Sequence, residues 1–347
     1  MAAQRTGIEN FLHHLLPHLC RAWAALPGER AVAVFAADPE VVAGVEPRPQ
    51  ILAGGGRGWT QLRLGRALRA SGASVFFNPI PILPVAGALS CPAVVTVHDL
   101  HEFRPRWWYF RRLLARTLGQ ASRVVCVSQS TREELVAEFP DVAPRCVVVR
   151  EAADEAVFHP GPPGDVLARL GIGEPPLLAV GTLQPRKNYS RLIEAYARLG
   201  TGAPPLVIVG KPGWGYESML ALPDQLGVGE RVRFTGHLDE GDVGDLMRAS
   251  VALCAVSIAE GFGLPLVEAM CCGLPILAAD IPPFREVAGT AARFVQPLLV
   301  EDIAAGLEAL VSDGQARARM TAAGLGRRSL FSWRQAAAEL VEVLEQA

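Results

Sequence analysis

Two acidic side chains flank a glycine-rich turn in an apolar stretch of the sequence, SIAEGFGLPLVEAMCCGLPILAAD (257–280). Glu260 precedes the turn GFGL (261–264), and Glu268 follows it. Because the fixed φ of proline suits the first position of a helix, Pro265 predicts that a helix begins there. Glycines just before a helix N-terminus leave N–H groups free, which favours binding of a phosphate or a diphosphate. We therefore expect an anion site with a carboxylate on each side of it.

Carboxylates are good acceptors for hydroxyl groups, and this suggests a class of ligand. A nucleotide sugar carries hydroxyls on its ribose and on its sugar, at opposite ends of a diphosphate, so two acids around one anion site fit such a molecule. The spacing alone also fits a simpler arrangement, in which Glu268 stabilises the helix dipole and Glu260 is a solvated loop residue.

Composition bounds the class of protein. The 347 residues are 50% hydrophobic, which is enough for two cores. The net charge of −2 gives no general attraction to nucleic acid. The seven cysteines lack C-x-x-C spacing and are typical of a reduced protein. No signal peptide is evident, and no run approaches the ~18 apolar residues of a membrane span. We expect a soluble, cytoplasmic protein.

Short apolar runs recur along the chain, each followed by an amphipathic stretch, which is typical of buried parallel strands. A Pro/Gly-rich passage (158–165) separates two sets of them. We predict two doubly wound α/β domains, 1–155 and 156–332, with the C-terminal helix 333–347 joining the first. The turn-like RTGIEN (5–10) comes so early that the first strand is expected to be missing. The runs are 31–37, 74–77, 93–99, 123–129 and 146–151, then 177–183, 205–210, 232–236, 251–257 and 274–280.

The stretch around the two acids resembles the E-x7-E motif of retaining glycosyltransferases of family four. Those enzymes have the GT-B fold, in which two Rossmann-like parallel-sheet domains face a central cleft. Five further blocks resemble that family in its order: 95–100 (VTVHDL), 181–199 (GTLQPRKNYSRLIEAYARL), 232–238 (VRFTGHL), 280–289 (DIPPFREVAG) and 331–333 (FSW).

The resemblance implies roles for individual residues. Glu260 would contact the transferred sugar and Glu268 the ribose. Arg186 and Lys187 match a basic pair that neutralises the diphosphate; cations at a helix start are unfavourable unless an anion lies there, which supports this role. His98, at the end of a strand, would contact the sugar from across the cleft. The remaining predicted donor-binding residues are Gly7, Gly181, Gly261, Phe262, Gly263, Leu264, His237 and Leu238.

The predicted reaction moves a hexose from a nucleoside diphosphate sugar to an acceptor hydroxyl, on a sugar, glycolipid or glycoside, with retention at the anomeric carbon. The resemblance implies front-face attack. No D-x-D or H-E-x-x-H sequence occurs, so we expect no metal and no cofactor, with GDP-mannose as the first candidate donor. Because Glu9 stands where a second glycine is common in the family, a non-catalytic nucleotide-sugar binder or partner subunit is the alternative.

The segment 103–119 (FRPRWWYFRRLLARTLG) interleaves arginines with aromatic residues. A basic, aromatic helix can lie on an anionic membrane surface, which would place the protein at the inner face of the membrane as a weak peripheral binder. An ordinary helix with core aromatics and solvated arginines fits the same pattern.

Overall fold

The computed structural model describes residues 7–28, 30–36, 42–54, 59–84, 89–101 and 107–347. These form two compact units, one of residues 1–151 with 331–347 and one of residues 152–330. Within the described parts of the chain, no helix is both long and apolar enough to cross a bilayer.

The described residues of the first unit form two parallel sheets, one of two strands in the order β1-β2 and one of four in the order β3-β4-β5-β6. Strand β4 is buried along its whole length, as its continuous apolar sequence predicts. The first unit's strands are β1 (Ala33–Ala36), β2 (Gln50–Ala53), β3 (Phe76–Asn78), β4 (Ala93–Val97), β5 (Arg123–Cys126) and β6 (Cys146–Val148). Its helices are α1 (Gly7–Ala24), α2 (Trp59–Leu62), α3 (Leu64–Ser71), α4 (Trp107–Gln120), α5 (Gln129–Glu138) and α14 (Trp333–Glu345).

The second unit is built on one parallel sheet of six strands in the order β12-β11-β10-β7-β8-β9. The strand order reverses between β7 and β10, and ligands of doubly wound sheets bind at the carboxyl ends of such strands. Its strands are β7 (Leu177–Val180), β8 (Leu206–Val209), β9 (Val232–Gly236), β10 (Ala252–Ala255), β11 (Ile276–Ala279) and β12 (Ala292–Val295). Its helices are α6 (Val166–Arg169), α7 (Tyr189–Tyr196), α8 (Glu217–Gln225), α9 (Glu240–Ala249), α10 (Leu264–Cys272), α11 (Pro282–Ala288), α12 (Val300–Ser312) and α13 (Gly314–Arg327).

The predicted α/β class with parallel sheets is confirmed, while the start of the chain differs from expectation. Residues 7–10 of the expected turn are the first turn of α1, so the prediction of a turn is wrong there. The physical reason is that Phe11, Leu15 and Leu19 form a buried stripe at helical spacing, and the helix extends back to Gly7. Residues 1–6, where a preceding strand would end, lie outside the described residues, so the missing strand stays a prediction.

Candidate functional site

Residues of the predicted anion site lie at the reversal of strand order in the second unit. The loop after β7 carries Arg186 and Lys187, and the loop after β10 carries Glu260. Since β7 and β10 are paired neighbours, their carboxyl ends bring residues 73 and 74 positions apart in sequence into contact.

Glu260 forms the centre of a three-membered charge cluster. Its Oε2 lies 2.5 Å from Arg186 Nη1, and its Oε1 lies 2.7 Å from Lys187 Nζ. Only 19%, 16% and 10% of the side chains of Arg186, Lys187 and Glu260 are exposed. Burial alone would raise the pKa of the Glu260 carboxyl, but the charges of Lys187 and Arg186 outweigh it and lower that pKa to about 2. Glu260 is therefore ionised at neutral pH.

Two hydrogen-bonded ties hold the two loops together. Asn188 has the left-handed φ of 62°, and its amide Nδ2 donates to the carbonyls of Val256 (2.9 Å) and Pro297 (2.6 Å). The N–H of Ile258 donates to the carbonyl of Arg186 over 2.9 Å. The cations are thus fixed against the end of β10 by backbone contacts as well as by their ion pairs.

The backbone of Gly181 lies against the side chain of Lys187. It has a φ of +146°, and a Cβ there would lie 3.0 Å from Lys187 Cε. The hydroxyl of Tyr189, which is buried, donates to the carbonyl of Gly181 over 3.1 Å. Burial, and then the charge of Glu260, raise the pKa of Tyr189. This tyrosine is therefore a neutral hydrogen-bond donor that supports the loop.

The glycine-rich turn forms the start of α10 as predicted. Gly263 is the residue before the helix with a φ of +110°, and a Cβ there would lie 2.7 Å from Phe284 Cε1. Leu264 opens the helix and Pro265 lies in its first turn. The pocket at this point is lined by Val180, Lys187, Tyr189, Cys254, Ala255, Val256, Ser257, Glu260, Gly263, Pro265, Leu266 and Phe284.

Five other predicted donor-site residues of the second unit do not line this pocket. Gly261 and Phe262 are buried in the turn. Glu268 is buried on α10 and does not line the pocket. His237 is exposed and Leu238 is half-buried, both just after β9.

His98 and Gly7 belong to the first unit. His98 lies just after β4, with Nδ1 3.0 Å from Glu151 Oε1 and Nε2 3.0 Å from the carbonyl of Pro79. Burial would lower its pKa, but the hydrogen bond and charge of Glu151 outweigh that effect and raise it. An imidazolium donates to both acceptors at once. Gly7 is the first residue of α1.

Sequence reasoning missed four residues that shape these sites: Asn188, Tyr189, Ser257 and Glu151. Asn188 and Tyr189 directly follow the predicted basic pair, so their position was a usable signal. Ser257 hydrogen-bonds Glu260 and also lowers its pKa. Glu151 ends an apolar run, where a strand's carboxyl end places polar side chains at the sheet edge. Among the residues that the structure describes, no group of three or more His, Cys, Asp or Glu side chains could hold a metal ion.

Two family models match the chain, Glycosyltransferase Family 4 over residues 6–157 and Glycosyl transferases group 1 over residues 169–327. The O-antigen chain mannosyltransferase B of Escherichia coli is 29% identical over 255 residues, covering 70% of this chain and 67% of that protein. A D-inositol 3-phosphate glycosyltransferase of Xylanimonas cellulosilytica is 31% identical over 254 residues, covering 67% of this chain and 60% of that protein. The serotype-specific mannosyltransferase WbdA of Escherichia coli is 27% identical, and the match spans only 30% of its length.

Solved structures share the architecture. Anabaena Alr3699/HepE, crystallised with UDP and glucose, matches with a TM-score of 0.82 at 20% identity, covering 100% of this chain and 98% of that one. WaaG, a glycosyltransferase involved in lipopolysaccharide biosynthesis, matches with a TM-score of 0.75 at 16% identity, covering 98% and 96%. The parallel sheets and these neighbours define a GT-B glycosyltransferase fold. Within that class, the chain belongs to the family-four group.

Proposed function

We propose that this protein transfers a hexose from a nucleoside diphosphate sugar to an acceptor hydroxyl with retention, without a metal or a cofactor. The observation that carries the proposal is the ionised Glu260 held between Arg186 and Lys187 at the carboxyl ends of β7 and β10. This group adjoins the start of α10, where backbone N–H groups and the helix dipole favour a phosphate.

The charges in this group suit a diphosphate leaving group. Two cations and one carboxylate leave a net charge of +1 beside the helix end. As the bond from the anomeric carbon to the diphosphate oxygen breaks, negative charge develops on that oxygen. Arg186 and Lys187, fixed beforehand by the ties of their loop, would stabilise that charge without rearranging.

Glu260 would also orient the sugar. Each of its oxygens accepts one hydrogen bond from a cation, and Ser257 donates a third, so one of the four lone-pair positions of the carboxylate is left. A sugar hydroxyl can therefore donate to Glu260 while both ion pairs persist. The family resemblance supports a further role for Glu268, one turn into the helix and outside the pocket, as acceptor for the ribose.

The donor and acceptor are proposed from the relatives. Curated relatives named as mannosyltransferases support a mannose-like sugar, with GDP-mannose first. HepE has been crystallised with UDP-glucose, which makes UDP-hexoses the next candidates. The pathway proposed from the O-antigen relative is polysaccharide, glycolipid or glycoside synthesis.

A thermal-shift screen against nucleotide sugars tests donor binding first. A donor at 100 times its Kd stabilises the protein by about 2.7 kcal/mol. The selected donor is then incubated with candidate acceptors, and the anomeric configuration of the product is read by NMR. We expect Glu260→Gln and Lys187→Ala to abolish transfer, and Arg198→Ala, which breaks an exposed ion pair with Glu301, to leave it unchanged.

The screen separates the two functions. Transfer that disappears in the two site variants supports the enzyme. Tight donor binding with neither transfer nor hydrolysis would instead establish the non-catalytic binder. If no nucleotide sugar shifts the melting temperature, both are wrong.

A further inference from the structure

Helix α4 exposes two large aromatic side chains that its core packing does not use. Phe110, Leu114 and Leu118 form the buried side of the helix and are at most 5% exposed. Trp108 is 71% exposed and Tyr109 is 60% exposed, although their rings contact each other edge to face at 6.0 Å. Exposing two adjacent aromatic rings is unfavourable in water unless another surface covers them.

Two arginines share the outer side of the helix with these rings. At about 100° per residue, Arg112 and Arg116 lie ~40° and ~80° around the helix from Trp108, and Tyr109 lies ~100° from it. All four side chains thus fall within one arc, which we call the α4 outer face. Gly119 lies inside this arc and Ala115 ~20° outside it; both are exposed and too small to block it.

The arginines of the outer face carry uncompensated charge. The neighbouring Arg111 is bound to Glu138 at 3.2 Å and stacks on Phe139. Within the described ranges, Arg112 and Arg116 have no carboxylate within ion-pair distance, and both are exposed. The face is therefore positively charged as well as aromatic.

We propose that the α4 outer face docks on an anionic lipid surface. The positive charge complements anionic headgroups, and the arginine stems and aromatic rings suit the boundary between headgroups and acyl chains. The four side chains lie on a single helical arc, so one approach of the helix, lying flat, engages them all. The proposal is independent of the donor site, which belongs to the other unit.

Vesicle sedimentation tests the docking with the full chain. The wild type is mixed at low salt with vesicles of phosphatidylcholine containing phosphatidylglycerol, and with vesicles of phosphatidylcholine alone. Two double variants remove the two halves of the face, Trp108→Ala with Tyr109→Ala, and Arg112→Gln with Arg116→Gln. Trp214→Ala, which removes another exposed tryptophan, and Arg319→Gln, at an arginine that is 70% exposed, are the matched controls.

We expect sedimentation with the anionic vesicles only. A basic residue at an anionic surface contributes about 1 kcal/mol, so the arginine double variant should bind about 25-fold more weakly. The aromatic double variant should bind more weakly on the same vesicles, and both controls should match the wild type. Raising the salt to about 1 M, which shortens the screening length to ~3 Å, should release the protein.

Three results would overturn the proposal. The first is a wild type that does not sediment with anionic vesicles at low salt. The second is equal binding to neutral vesicles, since charge would then play no part. The third is undiminished binding of both double variants, which would assign docking to another surface. Because all four side chains are exposed, the melting temperatures should equal the wild type's, and a double variant that fails this check is replaced by the single variant Trp108→Ser or Arg112→Gln.

Discussion

Replacing Asn188 tests how the loop that carries the two cations is held in place. The residue is 3% exposed, has a φ of 62°, and donates from Nδ2 to two carbonyls. Its Oδ1 also accepts from Arg191 Nη1 over 3.0 Å, but Arg191 is half-buried and water can replace that partner, so only the two carbonyl bonds are counted. Losing one neutral hydrogen bond costs about 1 kcal/mol, so losing both carbonyl bonds costs about 2 kcal/mol. A residue such as alanine in the left-handed conformation costs about 1 kcal/mol more. Asn188→Ala should therefore lower the free energy of unfolding by about 3 kcal/mol.

Asn188→Gly separates the cost of the lost hydrogen bonds from the cost of the left-handed backbone conformation. Glycine removes the same amide but adopts the left-handed φ without strain, so we expect a loss of about 2 kcal/mol. Urea denaturation of the three proteins, with unchanged slopes, gives these differences. A glycine variant as stable as the wild type would show that the amide does not hold the loop. Equal losses for alanine and glycine would show that the backbone conformation is not strained.

The same two variants test whether the loop positions the cations of the candidate site. Asn188 lies next to Lys187, and its amide ties the loop to the ends of β10 and β12. If the tie positions the cations, both variants should bind the donor more weakly at temperatures where they remain folded. Unchanged donor affinity in both would refute a positioning role.

Three further predictions concern charge and close packing. Because the pKa of Glu260 is lowered from 4.5 to about 2, its ion pairs contribute stability that is present above pH 4.5 and lost as the pH falls towards 2. Glu260→Gln should therefore flatten the profile of unfolding free energy against pH in this range. A profile parallel to that of the wild type would refute the pairing. Because the pKa of His98 is raised above 6.5, the stability that protonated His98 contributes is present below pH 6.5 and lost as the pH rises through its pKa in the folded protein. An NMR titration should show a lower pKa for His98 in Glu151→Gln. An unshifted pKa would count against the contact. A Cβ at Gly210 would lie 1.9 Å from the carbonyl oxygen of Gly181, so Gly210→Ala should destabilise the fold by several kcal/mol in urea denaturation, whereas Gly200→Ala, which meets nothing within 4 Å, should not.

The elements that were predictable from sequence are those with a continuous apolar run. Strands β8 and β11 are buried at every position, and their sequences contain only apolar residues. Strand β12 was missed because ARFV contains an exposed arginine and lies at a sheet edge, where burial no longer dictates composition. Strand β2 was missed for a related reason, since QILA is short and begins with an exposed glutamine.

The sequence predicted which residue types belong to the candidate site, but not which of them are in contact. The pattern indicated cations near an anion site and an acid near a sugar. It gave no sign that Arg186 and Lys187 pair with Glu260, because residues 73 or 74 positions apart meet only through the order of β7 and β10 in the sheet. The same holds for His98 and Glu151, which are 53 positions apart. Contacts of this kind depend on topology, which local sequence does not encode.

The ion pairs that Glu260 forms with Arg186 and Lys187 explain how these two cations can lie next to each other. Placed together at low exposure, Arg186 and Lys187 would repel each other, and Glu260 compensates one of the two charges. The group keeps a net charge of +1, so a diphosphate can add to it without displacing the carboxylate. Under the proposed function, the side chain that orients the sugar is then also the one that holds the cations ready for the leaving group. A change at Glu260 should therefore disturb leaving-group stabilisation as well as sugar binding, and lower kcat more than it raises KM.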